Sequence, residues 1–288
     1  MEYLCLVGSI FFVSFVSIFG GFYNRKNDGK KGASSLYNLL IIGTVFLGWL
    51  ILFLTDLQVE WSVLPYAILF GIFYAVCALA TIYALKTGPI LLTSLMLQLS
   101  LIAVAIWGFI SGWQEPTWLT WVGLGLVVLS LWLCLYTGKT DGGKISWKWL
   151  VFVALMFFGN AGCSITQKTQ QMAYDGKYGN FLMVSAMVIG VVTCLVLYLR
   201  DDKTDSKEIL KSSWAFPVVA GVGNLLLNLA VMYMATSTLS PSLIYPVMAV
   251  GSLIVTTLFS AFVFKEKMCW WQWIGVAVGM VATAILSV

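Results

Sequence analysis

The sequence predicts an all-α integral membrane protein in which ten transmembrane helices form a five-plus-five inverted repeat. Three observations lead there. The chain of 288 residues is 60% hydrophobic and 10% charged, with a mean hydropathy of +0.94, far from soluble usage. Apolar runs of about 20 residues, each long enough to cross roughly 30 Å of hydrocarbon, recur along the whole length. Finally, Trp118-Leu119-Thr120-Trp121-Val122-Gly123 returns 152 positions later as Trp270-Trp271-Gln272-Trp273-Ile274-Gly275. The same shift carries Pro65 to Pro217 and Pro89 to Pro241, and brings Glu115 within one position of Glu266. Landmarks kept in one order argue duplication.

In chain order, the runs of the first half are Leu4 to Phe22, Leu36 to Leu54, Ser62 to Leu85, Pro89 to Gly112 and Trp118 to Tyr136. A polar link, Gly138 to Ser146, forms the seam. Trp147 to Gln167, Tyr178 to Leu199, Trp214 to Met234, Leu239 to Phe264 and Trp270 to the end follow it. The repeats are thus 1–138 and 147–288, and because five is odd the second crosses the membrane in the opposite sense. The first run is kept as a span and not read as a cleavable leader, since Met1-Glu2-Tyr3 carries no positive charge ahead of it. Thr87-Gly88-Pro89 and Ser240-Pro241 place a capping residue near a proline suited to a first helical turn. Pro246, inside the ninth span, removes a backbone hydrogen bond and bends the helix, either as a hinge or as a fixed kink.

Orientation follows from the sixteen basic residues. Fourteen lie at connections after odd-numbered spans and two, Lys168 and Lys177, after span six. Basic loops stay in the cytoplasm, so both termini of a multi-pass cell-membrane protein are expected outside. The stretch Arg200 to Ser213, with four basic and four acidic residues, reads as a solvated connection, briefly helical at most.

Several chemistries lack their residues. There is no histidine, and every acid, from Glu2 to Glu266, falls in a loop or at a span end. A buried carboxylate is the usual means of coupling proton flow to export of a cation, and paired acids or a nucleophile with its base would be needed for catalysis. No catalytic residue, metal ligand or cofactor site is therefore assigned. The six cysteines have no CxxC spacing and read as small packing residues. The basic residues serve orientation, so no nucleic-acid partner is implied; the expected partners are membrane lipid and a small-molecule substrate.

The spans do contain uncharged polar faces. Asn160, Ser164 and Gln167 follow i, i+4, i+7 in span six, and Gly221, Asn224 and Asn228 follow i, i+3, i+7 in span eight. Ser14, Ser17 and Gly21 form a weaker stripe in span one, and Gln98 is the amide of span four. Such groups either bond neighbouring helices or bind a solute. Tyr74, Tyr83, Tyr233 and Tyr245 are aromatic candidates for a cavity wall. Gly275 and Gly279 give a GxxxG spacing on span ten, a face that would admit a homodimer.

Ten spans in two halves, Tyr83-Ala84-Leu85-Lys86 ending span three, Phe264-Lys265-Glu266 ending span nine, and glycine-rich final spans together resemble the EamA-like members of the drug/metabolite transporter superfamily. The resemblance covers essentially the whole chain. It implies a central cavity lined by the first, third and fourth helices of each half, which makes spans one, three, four, six, eight and nine cavity candidates. The chain departs from the family in lacking a proline midway along span four, where Gln98 stands, and in loop charges that place the termini outside. The expected substrate-binding residues are Gln98, Asn160, Ser164, Asn224 and Asn228, with Tyr74, Tyr83 and Tyr245. The expected function is alternating-access transport of a small neutral or zwitterionic metabolite, with Lys86 leaving an anion open. The alternatives are a multidrug or quaternary-ammonium exporter using an aromatic cage, or a membrane scaffold that transports nothing.

Overall fold

The computed structural model describes residues 2–87, 90–135, 146–263 and 269–286. Pro89, the link from Gly138 to Ile145, and the segment Phe264 to Lys267 lie outside the described residues, as does the Lys86 side chain. The helices, in chain order, are α1 (Glu2–Lys26), α2 (Ala33–Thr55), α3 (Leu64–Thr87), α4 (Ile90–Ile110), α5 (Trp118–Leu135), α6 (Trp147–Ala173), α7 (Gly179–Arg200), α8 (Ser206–Ser213), α9 (Ala215–Ala235), α10 (Pro241–Phe262) and α11 (Trp270–Leu286). A 3₁₀ turn at Trp61–Val63 precedes α3.

The described residues thus hold eleven α-helices where ten spans are expected. The additional one is α8, eight residues inside the mixed-charge connection. Its charged residues Lys207, Glu208 and Lys211 face water while Ser206, Ser213 and Ile209 are buried, and the packing of Ile209 on Tyr23 and Leu36 stabilises a helix too short to persist alone. Among the described residues seven helices are long and apolar enough to cross a membrane; in α4, α5 and α11 the apolar stretches are the shorter Met96–Ile110, Trp118–Cys134 and Trp270–Leu286. Trp61, Trp118, Trp147, Trp214 and Trp270 each stand at a helix start and are all exposed, as expected of indoles at a membrane-water boundary.

The chain divides into two compact units. One comprises Met1–Ile10, Val76–Ile165 and Ser237–Val288, the other Phe11–Ala75 and Thr166–Thr236. Each draws on both halves of the sequence, and the boundary falls inside α1, α3 and α6.

In the first unit α5 packs on α11, and α10 packs on α4, α5 and α11. The core joins Leu124, Val127 and Leu131 of α5 to Val250 and Leu253 of α10 and Val276 and Ala282 of α11. Small residues set the approach of α5 and α11. A Cβ at Gly123 would lie 2.6 Å from Leu286 Cδ2, and one at Gly275 would lie 2.6 Å from Cys134 N. Residue 123 therefore meets 286 while 134 meets 275, so the two helices run antiparallel. The 152-residue shift interchanges the two contacts, since it carries Gly123 to Gly275 and Cys134 to Leu286. Such reciprocity is what a two-fold relation between two copies of one element produces. Pro241 occupies the first turn of α10, as its position after Ser240 predicts. The Ser240 hydroxyl, however, makes no capping bond and pairs instead with Ser242 Oγ at 3.1 Å. Pro246 lies inside α10, which continues past it to Phe262.

In the second unit α2 is central, packed on both α7 and α9. Glycine again permits the close approach: a Cβ at Gly48 would strike the Leu225 side chain, and one at Gly221 would lie 2.7 Å from Thr44 Cβ. The connection after α1 is tied to the one after α7. Lys30 pairs with Glu208 at 2.8 Å, Lys31 with Asp202 at 2.9 Å, and Ser35 Oγ donates to Asp201 Oδ2 at 2.7 Å.

Candidate functional site

The expected substrate-binding residues divide between the two units. Within the first, Asn160 Nδ2 donates to Ser100 Oγ at 2.6 Å, and Ser164 Oγ donates to Asn160 O at 3.5 Å. Gln98 is half-buried on α4. Tyr83 is exposed and stacks on Phe152 with ring centroids 5.1 Å apart, while Tyr245 is fully buried in α10. Within the second, Asn228 Nδ2 donates to both the carbonyl and the side-chain oxygen of Asn224 at 2.9 Å. This leaves the Nδ2 of Asn224 and the oxygen of Asn228 for another partner. Tyr74 is half-buried, close to Gly190. The structure thus brings together Asn160 with Ser164, and Asn224 with Asn228.

Another set of polar residues gathers in the second unit at the connections that follow α2, α6 and α9. Helix α6 was expected to end at Gln167 and instead runs to Ala173. The helical bonding persists beyond it, with Tyr174 N donating to Gln170 O at 3.1 Å. The polar run Lys168 to Gln171 is therefore helical, and it survives in the buried state because its groups are satisfied locally. Gln171 Nε2 donates to Gln170 Oε1 at 2.6 Å, Gln170 Nε2 donates to Lys177 O at 3.0 Å, and Lys168 Nζ donates to Ala235 O at 3.0 Å. Buried polar groups persist only when so paired.

The chain then turns sharply. Asp175, Gly176 and Tyr178 all have left-handed backbones, with φ of 50°, 78° and 60°. Glycine and aspartate tolerate this, but a tyrosine rarely does. Gly176 N closes the turn on Gln171 O at 2.8 Å. The turn is fastened to the connection after α2, where Tyr174 Oη donates to Ser62 Oγ at 2.8 Å and Ser62 Oγ donates to Glu60 Oε1 at 2.8 Å. The Ser62 hydroxyl and amide together hold the Glu60 carboxyl below its usual range.

These ends enclose a cavity of about 460 Å³, lined by Trp49, Asp56, Gln58, Gln171, Asp175 to Asn180, Leu229, Met232, Tyr233 and Thr236. That size lies within the range of small-molecule sites. Trp49, Gln171 and Met232 are buried, whereas Asp56, Asp175 and Lys177 are exposed. Of these residues the sequence named Tyr233 alone, as an aromatic candidate for a cavity wall. Two weak signals exist: Lys168 and Lys177 are the two basic residues on their side of the charge count, and the α6 span has the lowest hydropathy of the seven, 1.7.

Comparison with known proteins decides the class. Residues 147–288 match the family model described as the EamA-like transporter family. The chain carries an EamA-like transporter domain. The match covers α6 to α11 and, with the long apolar helices, is consistent with a multi-pass membrane transporter of the drug/metabolite superfamily. A solved structure described as "Crystal structure of protein" matches with a TM-score of 0.77 over 99% of this chain and 95% of that one, at 13% identity. At that identity the likeness is one of fold. No curated protein matches the chain.

Proposed function

We propose that this EamA-like protein is a secondary transporter that carries a small neutral or zwitterionic organic metabolite across the membrane by alternating access of a five-plus-five inverted repeat. One observation carries the substrate class. Among the described residues no carboxylate lies in the interior of a long apolar helix, where the polar groups are instead the amides and hydroxyls of Asn160, Ser164, Ser100, Asn224 and Asn228. Amides donate and accept at once, which suits a solute without net charge. A cation would need compensating charge in so apolar a setting. The antiparallel, reciprocal packing of α5 and α11 supports the inverted repeat.

Uptake of labelled amino acids, nucleosides and sugars into proteoliposomes tests the reading. Accumulation of one of them, competed by its unlabelled form, is the expected result. Flux of quaternary ammonium compounds alone would establish the exporter alternative. Failure to move any solute under proton, sodium or potassium gradients would identify a scaffold.

A further inference from the structure

The cavity of the second unit combines three features that point to one kind of ligand. First, its exposed rim carries both signs of charge, Asp56 and Asp175 against Lys177. None of the three forms an ion pair among the described residues. Second, buried donors at this end lack acceptors. Trp49, in the cavity wall and fully buried, has an indole N–H without a partner, and so does Nε2 of Gln167, one helical turn before Gln171 on α6. A buried N–H left unpaired is costly, and an anionic oxygen is the acceptor that relieves it best. Third, the wall includes Tyr178, whose left-handed backbone is strained in the way of residues held in place at ligand clamps.

We propose that this cavity binds a compact zwitterion, a ligand with an ammonium group and an anionic oxygen group a few ångströms apart. The ammonium end is held between Asp56 and Asp175. The anionic end is held by Lys177 and the indole N–H of Trp49. Free α-amino acids have this chemistry, and so does the ethanolamine headgroup of a phospholipid. None of the amides assigned to transport lines this cavity, and the binding claim stands whether or not the chain carries a solute.

The test uses the full chain purified in maltoside micelles without zwitterionic lipid, titrated calorimetrically with L-serine, L-glutamine, L-methionine, L-phenylalanine and O-phosphoethanolamine. Tetramethylammonium and succinate serve as single-charge controls. The expected result is that at least one zwitterion binds more tightly than either control, and that Lys177→Gln weakens it roughly tenfold or more. Trp49→Phe, which keeps the packing and removes the N–H, should weaken it also. Lys203→Gln, away from the cavity, should not. Binding of an amino acid identifies a soluble source, and binding of O-phosphoethanolamine alone identifies a lipid headgroup. No binding by any zwitterion, equal binding of a single-charge control, or an unchanged affinity in Lys177→Gln would each overturn the proposal. Lys177 is exposed, so Lys177→Gln tests the site without disturbing the core, and the thermal stability of Trp49→Phe is measured beside its affinity. A protein that binds but shows no flux in proteoliposomes overturns only the transport reading.

Discussion

Lys31 Nζ lies 2.9 Å from Asp202 Oδ2, and through this pair the connection after α1 is held to the connection before α8. The carboxylate is stabilised further by Thr204, whose hydroxyl and amide both donate to Asp202 Oδ1. Those bonds, first Thr204 and then Lys31, bring the Asp202 carboxyl down to about 2. Lys31 is raised in turn, chiefly by the hydrogen bond to Asp202.

The sign of the resulting pH dependence follows. A carboxyl whose folded value lies below its unfolded one stabilises the fold above the ordinary carboxylate range and loses that contribution as pH falls toward about 2. Thermal stability of wild type and Asp202→Asn, compared from pH 7 down to pH 3, should show a gap that narrows with acidity. A gap that widens in acid, or none at any pH, would show that Asp202 does not hold the clasp. Both groups are exposed, so the effect should be small and should shrink further in high salt.

A second prediction concerns the GxxxG spacing of α11. Gly275 and Gly279 are buried against α5 and α10, and a Cβ at Gly279 would lie 2.6 Å from both Ser130 Oγ and Val250 Cγ1. This face is spent inside the first unit. Gly279→Leu should therefore destabilise the fold by about 1–3 kcal/mol, as overpacking does, and leave the mass of the solubilised particle unchanged. A dimeric wild type that becomes a stable monomer on this change would instead make the face a homodimer contact.

Orientation gives a third prediction. The fourteen-to-two division of basic residues puts both termini outside and Arg25 to Lys31 inside. Reporter fusions at each end and labelling of single introduced cysteines at Lys30 and Lys177 measure it directly. A cytoplasmic C-terminus would overturn the charge reading and place the cavity of the second unit on the cytoplasmic face.

The amides of α9 supply a fourth. The Asn228 to Asn224 bonds lie within one helix turn, so Asn228→Ala should cost little stability, near the average of about 0.6 kcal/mol for polar pairs in membranes. If the pair holds substrate, the same change should reduce affinity on the order of five- to hundredfold with expression intact. Equal affinity in Asn224→Ala and Asn228→Ala would remove α9 from the site.

How much of this could be read from the sequence depended on whether a feature was local. The apolar runs are contiguous and the i, i+4 placement of Asn224 and Asn228 is a helical neighbour relation, so both were legible. The Ser100 partner of Asn160 sits on another helix and was not. Helix α8 was hidden because its buried apolar side chain, Ile209, is anchored by Tyr23 and Leu36, far away in sequence. The extension of α6 past Gln167 was misread for a related reason. Lys168, Gln170 and Gln171 look like a loop, yet their hydrogen bonds go to Ala235 O, to Lys177 O and to one another. The cavity could not be inferred, since its wall is assembled from the ends of four helices.

The packing of α5 on α11 also constrains the order in which the protein is made. Ser130 Oγ donates to Gly275 O at 2.7 Å, across 145 residues of sequence. When α5 enters the bilayer its acceptor has not yet been synthesised, and a hydroxyl in hydrocarbon cannot stay unpaired. Ser130 can bond the carbonyl one turn back in its own helix while it waits, then exchange that bond for Gly275 when α11 arrives. The last span is therefore the one that completes the first unit, and a ribosome stalled before residue 270 leaves α5 with its small-residue face turned to lipid or to a chaperone.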